Sequence, residues 1–101
     1  MNLNTSLDYK PQGIASRVLV QNESGIIMML AFDIDVDLAT HTAPADVMVQ
    51  IIEGTAEITV DDVTHTLRAG DFITMRPGTP HSLRAPEQFK ALVIQLSLRS
   101  S

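Results

Sequence analysis

The sequence contains no cysteine and no tryptophan, and only three phenylalanines and one tyrosine among its 101 residues. Without thiols there is no disulfide scaffold, no cysteine nucleophile and no thiolate-held metal or iron–sulfur cluster. A cysteine-free chain suits a reducing compartment, and the cytoplasm is the expected location. Basic residues are also scarce: seven Lys and Arg against twelve Asp and Glu leave a net charge of −5. They are scattered singly, so no basic face for nucleic acid is expected. Long apolar runs are missing too. The run IIMMLAF ends at Phe32 after seven residues, far short of a bilayer span, and MNLNTSLDYK lacks the basic start and apolar stretch of a signal peptide. No membrane partner is expected. Helical periodicity is almost absent, with at most a turn or two predicted near Ala85–Gln88.

What the chain does contain is short β-rich runs separated by turn residues. Its length fits one domain. Residues 1–13 read as a polar N-terminal arm with room for one short strand, and residues 14–101 as a single β domain. SRVLVQ and GIIMMLAF, separated by Asn22-Glu23-Ser24-Gly25, have the pattern of a hairpin. In DIDVDL, Asp33, Asp35 and Asp37 alternate with apolar residues, which predicts an extended segment with one wet face. The central glycine and distal glutamate of an EF-hand loop are missing there, so calcium is not expected. From Val47 onward, VMVQIIEG, TAEITVDD, VTHTLRAG, DFITMRPG and TPHSL follow at near-regular spacing, and FKALVIQLSL supplies a last strand. Such spacing predicts a sandwich or small barrel. Gly54, Gly70 and Gly78 fall at the turns, where tight or positive-φ conformations are expected.

Two spaced motifs sharpen this reading. Gly70, five residues, Arg76-Pro77-Gly78, two residues and His81 match the pattern G-x5-P-x-G-x2-H-x3-N, with Arg76 at the proline position and Ala85 at the asparagine. Upstream, His41 and Gly54 match the ends of H-x-H-x3/4-E-x6-G, whose second histidine and glutamate are here Ala43 and Val47. The chain thereby resembles the cupin superfamily over about residues 30–98, and in HTAPADVMVQIIEGTAEITV and TPHSL it is similar to small single-domain bacterial cupins. The resemblance implies an all-β double-stranded β-helix, or jelly-roll barrel, with the Glu53-Gly54 pair heading a turn. It also implies one divalent transition metal (Zn, Ni, Fe or Mn) inside the barrel, bound by four donors. Only His41 and His81 of those four are retained, so weak, low-occupancy binding is expected.

Other residues are weaker candidates for the missing donors. His65 shares a strand face with Val63 and Leu67, which predicts that it points inward and joins His41 and His81 in a ligand pocket. Asp46 and Gln50 fall on the face opposite Val47, Val49 and Ile51. Met28, Met29, Met48 and Met75 are expected to pack in a core or an interface, and Arg76 to project into solvent. No catalytic residue can be assigned. Three functions fit: a barrel that binds a small organic ligand through His41 and His81; a metal-dependent dioxygenase, isomerase or lyase; or a scaffold whose pocket is vestigial. IIMMLAF and VMVQII are apolar on both faces, more than one barrel interior can use. A homodimer is therefore expected, and the resemblance places Ser16–Val20 at its interface.

Overall fold

In the computed structural model, which describes residues 1–97, eight strands follow one another: β1 (Ile14–Asn22), β2 (Gly25–Phe32), β3 (Asp37–His41), β4 (Ala45–Val60), β5 (Val63–Arg68), β6 (Phe72–Met75), β7 (His81–Arg84) and β8 (Phe89–Ser97). Every pairing is antiparallel. One sheet has the order β1-β2-β8-β4-β6 and the other β5-β4-β7-β3, with β4 shared between them. The chain is thus an all-β curled sheet with the double-stranded β-helix architecture expected of it. Leu98, the last residue of the expected final strand, lies outside the described residues.

β4 explains how one strand serves two sheets. Val47, Val49 and Ile51 face the core in its first half, and Ala56, Ile58 and Val60 in its second. The inward set changes from odd to even positions because the register with β8 slips between Ile51 and Glu53. A bulge adds one residue, bends the strand and reverses the alternation. Gly54 completes the bend with φ 79°. A Cβ there would stand 1.9 Å from the carbonyl oxygen of Gln88, so no other residue fits. The turn expected at Glu53-Gly54 is therefore a kink within one long strand, since Glu53 and Gly54 still pair with Lys90 and Phe89.

The core lies between the sheets. Phe32 and Phe89 are cross-strand partners, fully buried and stacked with ring centroids 4.5 Å apart. Ile51, Ile58, Leu83 and Met75 pack in the same cluster. The β4–β5 hairpin closes through Asp61 and Asp62, both at positive φ (48° and 66°). That conformation at both central residues gives a turn whose twist matches the strands.

Three further segments take a more definite form than the sequence indicated. DIDVDL is not extended throughout: the Val36 N–H donates to the Asp33 carbonyl at 3.3 Å and Asp35 has φ 64°, so the chain turns before β3 begins at Asp37. The exposed Asp33 carboxylate accepts from the Gln12 N–H, the Gln88 amide and the Ile34 N–H. These donors, Gln12 foremost, hold its pKa below the ordinary value. Ala85–Gln88 forms a bend with no helical turn. Ala85 exchanges backbone hydrogen bonds with Val36 and Asp35 instead, which fixes it against the other turn.

The third concerns the N-terminal arm, which contains no strand and forms a strap across the outer face of the first sheet. The Tyr9 hydroxyl donates to Glu53 Oε2 at 2.7 Å, Asn4 Nδ2 donates to Glu53 Oε1 at 3.1 Å, and Lys90 Nζ donates to the Asn4 carbonyl. The Lys90 ammonium also stands 5.0 Å from the Tyr9 ring centroid. Met29, Ala31 and Lys90 are consequently buried although they point away from the core cluster. The Tyr9 hydroxyl lowers the Glu53 pKa, more than burial raises it. Burial, followed by the hydrogen bond to Glu53, pushes the Tyr9 pKa up. Among the described residues no helix is long and apolar enough to cross a membrane.

Candidate functional site

β3 and β7 are neighbours in the second sheet, and their register sets His41 directly beside His81. A register shift between Leu38 and His41 brings His41 into that row. The loop leading to His81 is tied at both sides. Gly78 N–H donates to the Ala43 carbonyl at 2.9 Å, and the Pro80 carbonyl accepts from the Asp61 N–H at 3.1 Å. Pro77 and Pro80 restrict the backbone between these ties. The approach of His81 is thus fixed by the first histidine's own loop and by the β4–β5 hairpin.

The two imidazoles are in contact, with centroids 4.1 Å apart and planes tilted by 59°. His81 is buried, with 6% of its surface exposed, whereas His41 is exposed. Each ring makes the same local hydrogen bond. His41 Nδ1 lies 3.0 Å from the Ala39 carbonyl and His81 Nδ1 lies 2.9 Å from the Thr79 carbonyl, in each case two residues back. A carbonyl only accepts, so both Nδ1 atoms carry the proton and donate it. In the neutral rings Nε2 then holds a lone pair, the tautomer and second contact usual for metal-binding histidines. Val60 pairs with His81 in the same row, and Leu38 and Leu83 form a neighbouring pair. The pair therefore ends an apolar face.

The remaining candidates do not join it. His65 pairs with Ile58 and so shares the inward-facing side of its strand, yet it is exposed because β5 is the free edge of its sheet. With β4 between β5 and β7, and a one-row offset, His65 and His81 lie about 12 Å apart at their Cα atoms. Asp46 is exposed on the opposite face of β4, and Gln50 pairs with Phe72 and Leu92, also away from the core. Ala43 and Val47 belong to the apolar packing. Among the described residues no group of three or more His, Cys, Asp or Glu is placed to hold a metal. The residues present therefore fit half of the four-donor shell that the resemblance implies. Arg76 is exposed, as expected. One signal was overlooked in the sequence: six residues before His41, where the first motif has its opening glycine, stands Asp35 at φ 64°.

A jelly-roll barrel with a histidine on each of two adjacent motif strands defines a class of protein. The Cupin domain family model matches residues 35–95, and the chain belongs to that family. A conserved protein of unknown function from Streptococcus pyogenes has the same fold, with a TM-score of 0.92 and 32% identity over 99% of this chain and 88% of its own. A Cupin 2 conserved barrel domain protein from Leptotrichia buccalis superposes with a TM-score of 0.91 at 26% identity. That match covers 96% of this chain but 47% of the Leptotrichia chain. A cupin superfamily protein from Desulfitobacterium hafniense, at 23% identity and a TM-score of 0.85 over 89% of this chain and 83% of its own, shares the fold. No curated protein matches the sequence.

Proposed function

We propose that this barrel binds a small organic molecule, with His41 and His81 as its polar anchors. The observation that carries the reading is the matched pair of rings, each with Nδ1 committed to a backbone carbonyl and Nε2 left for a ligand. Apolar walls with a few placed polar groups are the usual make-up of a small-molecule site. A divalent transition metal bound by the two Nε2 atoms would be held weakly, with water or the organic ligand supplying the other donors. Such an ion would act as a Lewis acid on a bound oxygen. The chain's own part is to orient the two rings and to fix their tautomer. The cysteine-free composition supports a cytoplasmic setting.

The test is cobalt(II) titration of the untagged protein followed by visible absorption, with elemental analysis, for the wild type and for His41→Ala and His81→Ala. Saturable uptake that dialysis removes, and that either substitution abolishes, is the expected result. The His81 ring signals should also shift in NMR spectra when a panel of small organic acids and alcohols is added. A full equivalent of metal surviving dialysis against chelator would mean a further donor and would favour a metal-dependent enzyme. Neither metal uptake nor ring shifts would leave a scaffold with a vestigial pocket.

A further inference from the structure

Residues 1–12 are held to the barrel by side chains. Among the described residues no backbone–backbone hydrogen bond joins this arm to a strand. Glu53 is the main post, accepting from Tyr9 on one carboxylate oxygen and from Asn4 on the other. Lys90 donates to the Asn4 carbonyl, and Arg17 to the Ser6 carbonyl at 2.9 Å. The cover ends where these ties end. Met29 and Ala31 are fully buried beneath the arm, whereas Phe72 and Leu96, on the other half of the same outer face, are 61% and 55% exposed. Lys90 carries the charge most sensitive to this arrangement. Its side chain is 8% exposed, and Glu53, 3.9 Å away, is the one carboxylate within ion-pair distance of it among the described residues. A buried charge that loses its counter-ion is strongly destabilising. Water can reach Lys90 if the arm alone moves aside.

We propose that the arm is an acid-released strap: protonation of Glu53 frees residues 1–9 as a unit and leaves the eight strands folded. One proton acts twice. It weakens the shared acceptor of Tyr9 and Asn4, and it leaves the Lys90 ammonium without an anion. No strand pairing is broken, so the opening is a local event distinct from global unfolding. The turn at Lys10–Gly13 is the hinge. Gly13 N–H donates to the Lys10 carbonyl at 3.0 Å and Gln12 N–H to Asp33 Oδ2 at 2.7 Å, ties that do not involve Glu53. The other charged groups around the arm do not take the place of Glu53. Arg17 stays cationic in acid, Asp33 holds only the hinge, and Glu87 faces Tyr9 but accepts from the Thr55 hydroxyl. The Tyr9 hydroxyl holds the Glu53 pKa down, so the closed arm is favoured above the ordinary glutamate range, about 4.3. Release follows as pH falls through the folded value.

Methionine methyl NMR in the presence of a dissolved gadolinium chelate tests this, because Met29 lies under the arm and Met75 in the core cluster. Between pH 6 and pH 3 the wild-type Met29 signal should broaden while the Met75 signal stays sharp. Glu53→Gln should broaden Met29 already at pH 6. If that variant fails to fold, Lys90→Leu decides: with the buried charge gone, Met29 should stay protected at pH 3. Glu87→Gln should release the arm as the wild type does. Met29 and Met75 broadening together in the wild type would mean simple acid unfolding and would overturn the proposal. So would a folded Glu53→Gln chain whose Met29 is as protected at pH 6 as in the wild type. Acid release that persists in Lys90→Leu, or that is lost in Glu87→Gln, would overturn it as well.

Discussion

Replacing Gly54 by alanine separates backbone strain from steric conflict at the kink in β4. Alanine at φ 79° costs about 1–2 kcal/mol through its Cβ alone. At Gly54 that Cβ would also meet the Gln88 carbonyl oxygen at 1.9 Å and Phe89 Cα at 2.8 Å. Both are backbone atoms, so no rotamer change relieves the contact. β8 would have to move away where Gly54 pairs with Phe89, and Phe89 is fully buried against Phe32. Such overpacking adds about 1–3 kcal/mol. Gly70 is the control, at φ 93° with nothing within 4 Å of where an alanine methyl would stand. Gly70→Ala should cost only the conformational part, a fall in Tm of about 5–10 °C, and Gly54→Ala about 15 °C or more for a domain of this size. Thermal and urea unfolding by circular dichroism at one protein concentration read both variants. Insolubility of Gly54→Ala alone would agree with the larger cost. Equal losses in the two variants would refute the reasoning, because the clash would then contribute nothing.

Three further outcomes are expected. Phe32→Ala removes a fully buried ring stacked on Phe89 and should destabilise by about 3–5 kcal/mol in urea unfolding. The lowered Glu53 pKa contributes stability that is present above the ordinary glutamate range, about 4.3, and is lost as pH falls through the folded value; Tyr9→Phe removes the main cause, so thermal melts from pH 6 to pH 3 should fall less steeply in that variant than in the wild type. His65→Ala should leave cobalt(II) uptake unchanged, since His65 lies on the free edge of β5, and a loss equal to that of His81→Ala would mean that the edge closes over the pair.

Much of the architecture was legible along the chain, because turn residues and alternating apolar positions are local signals. Glu23-Ser24 marked the first hairpin and Asp61-Asp62 the second, and the inward set Val47, Val49 and Ile51 followed from period two. The motif spacing singled out His41 and His81, and the identities of Ala43 and Val47 already removed two donors. Where the local pattern was ambiguous, non-local pairing decided. Asp33–Asp37 alternates like a strand but turns, since Asp35 bonds to Ala85 fifty residues away. Glu53-Gly54 resembles a turn but stays paired to β8, and the bulge beside it reverses which side of β4 faces the core. His65 occupies an inward position, yet burial also needs a strand on the far side of β5, and among the described residues β5 pairs with β4 alone. Composition and spacing determined the fold class and the two histidines. Tertiary structure decided that their rings touch, that their Nδ1 atoms are committed to backbone carbonyls, and that the arm covers one half of an apolar face. Those are relations between residues distant in sequence, set by strand register and by which surfaces the folded chain brings together.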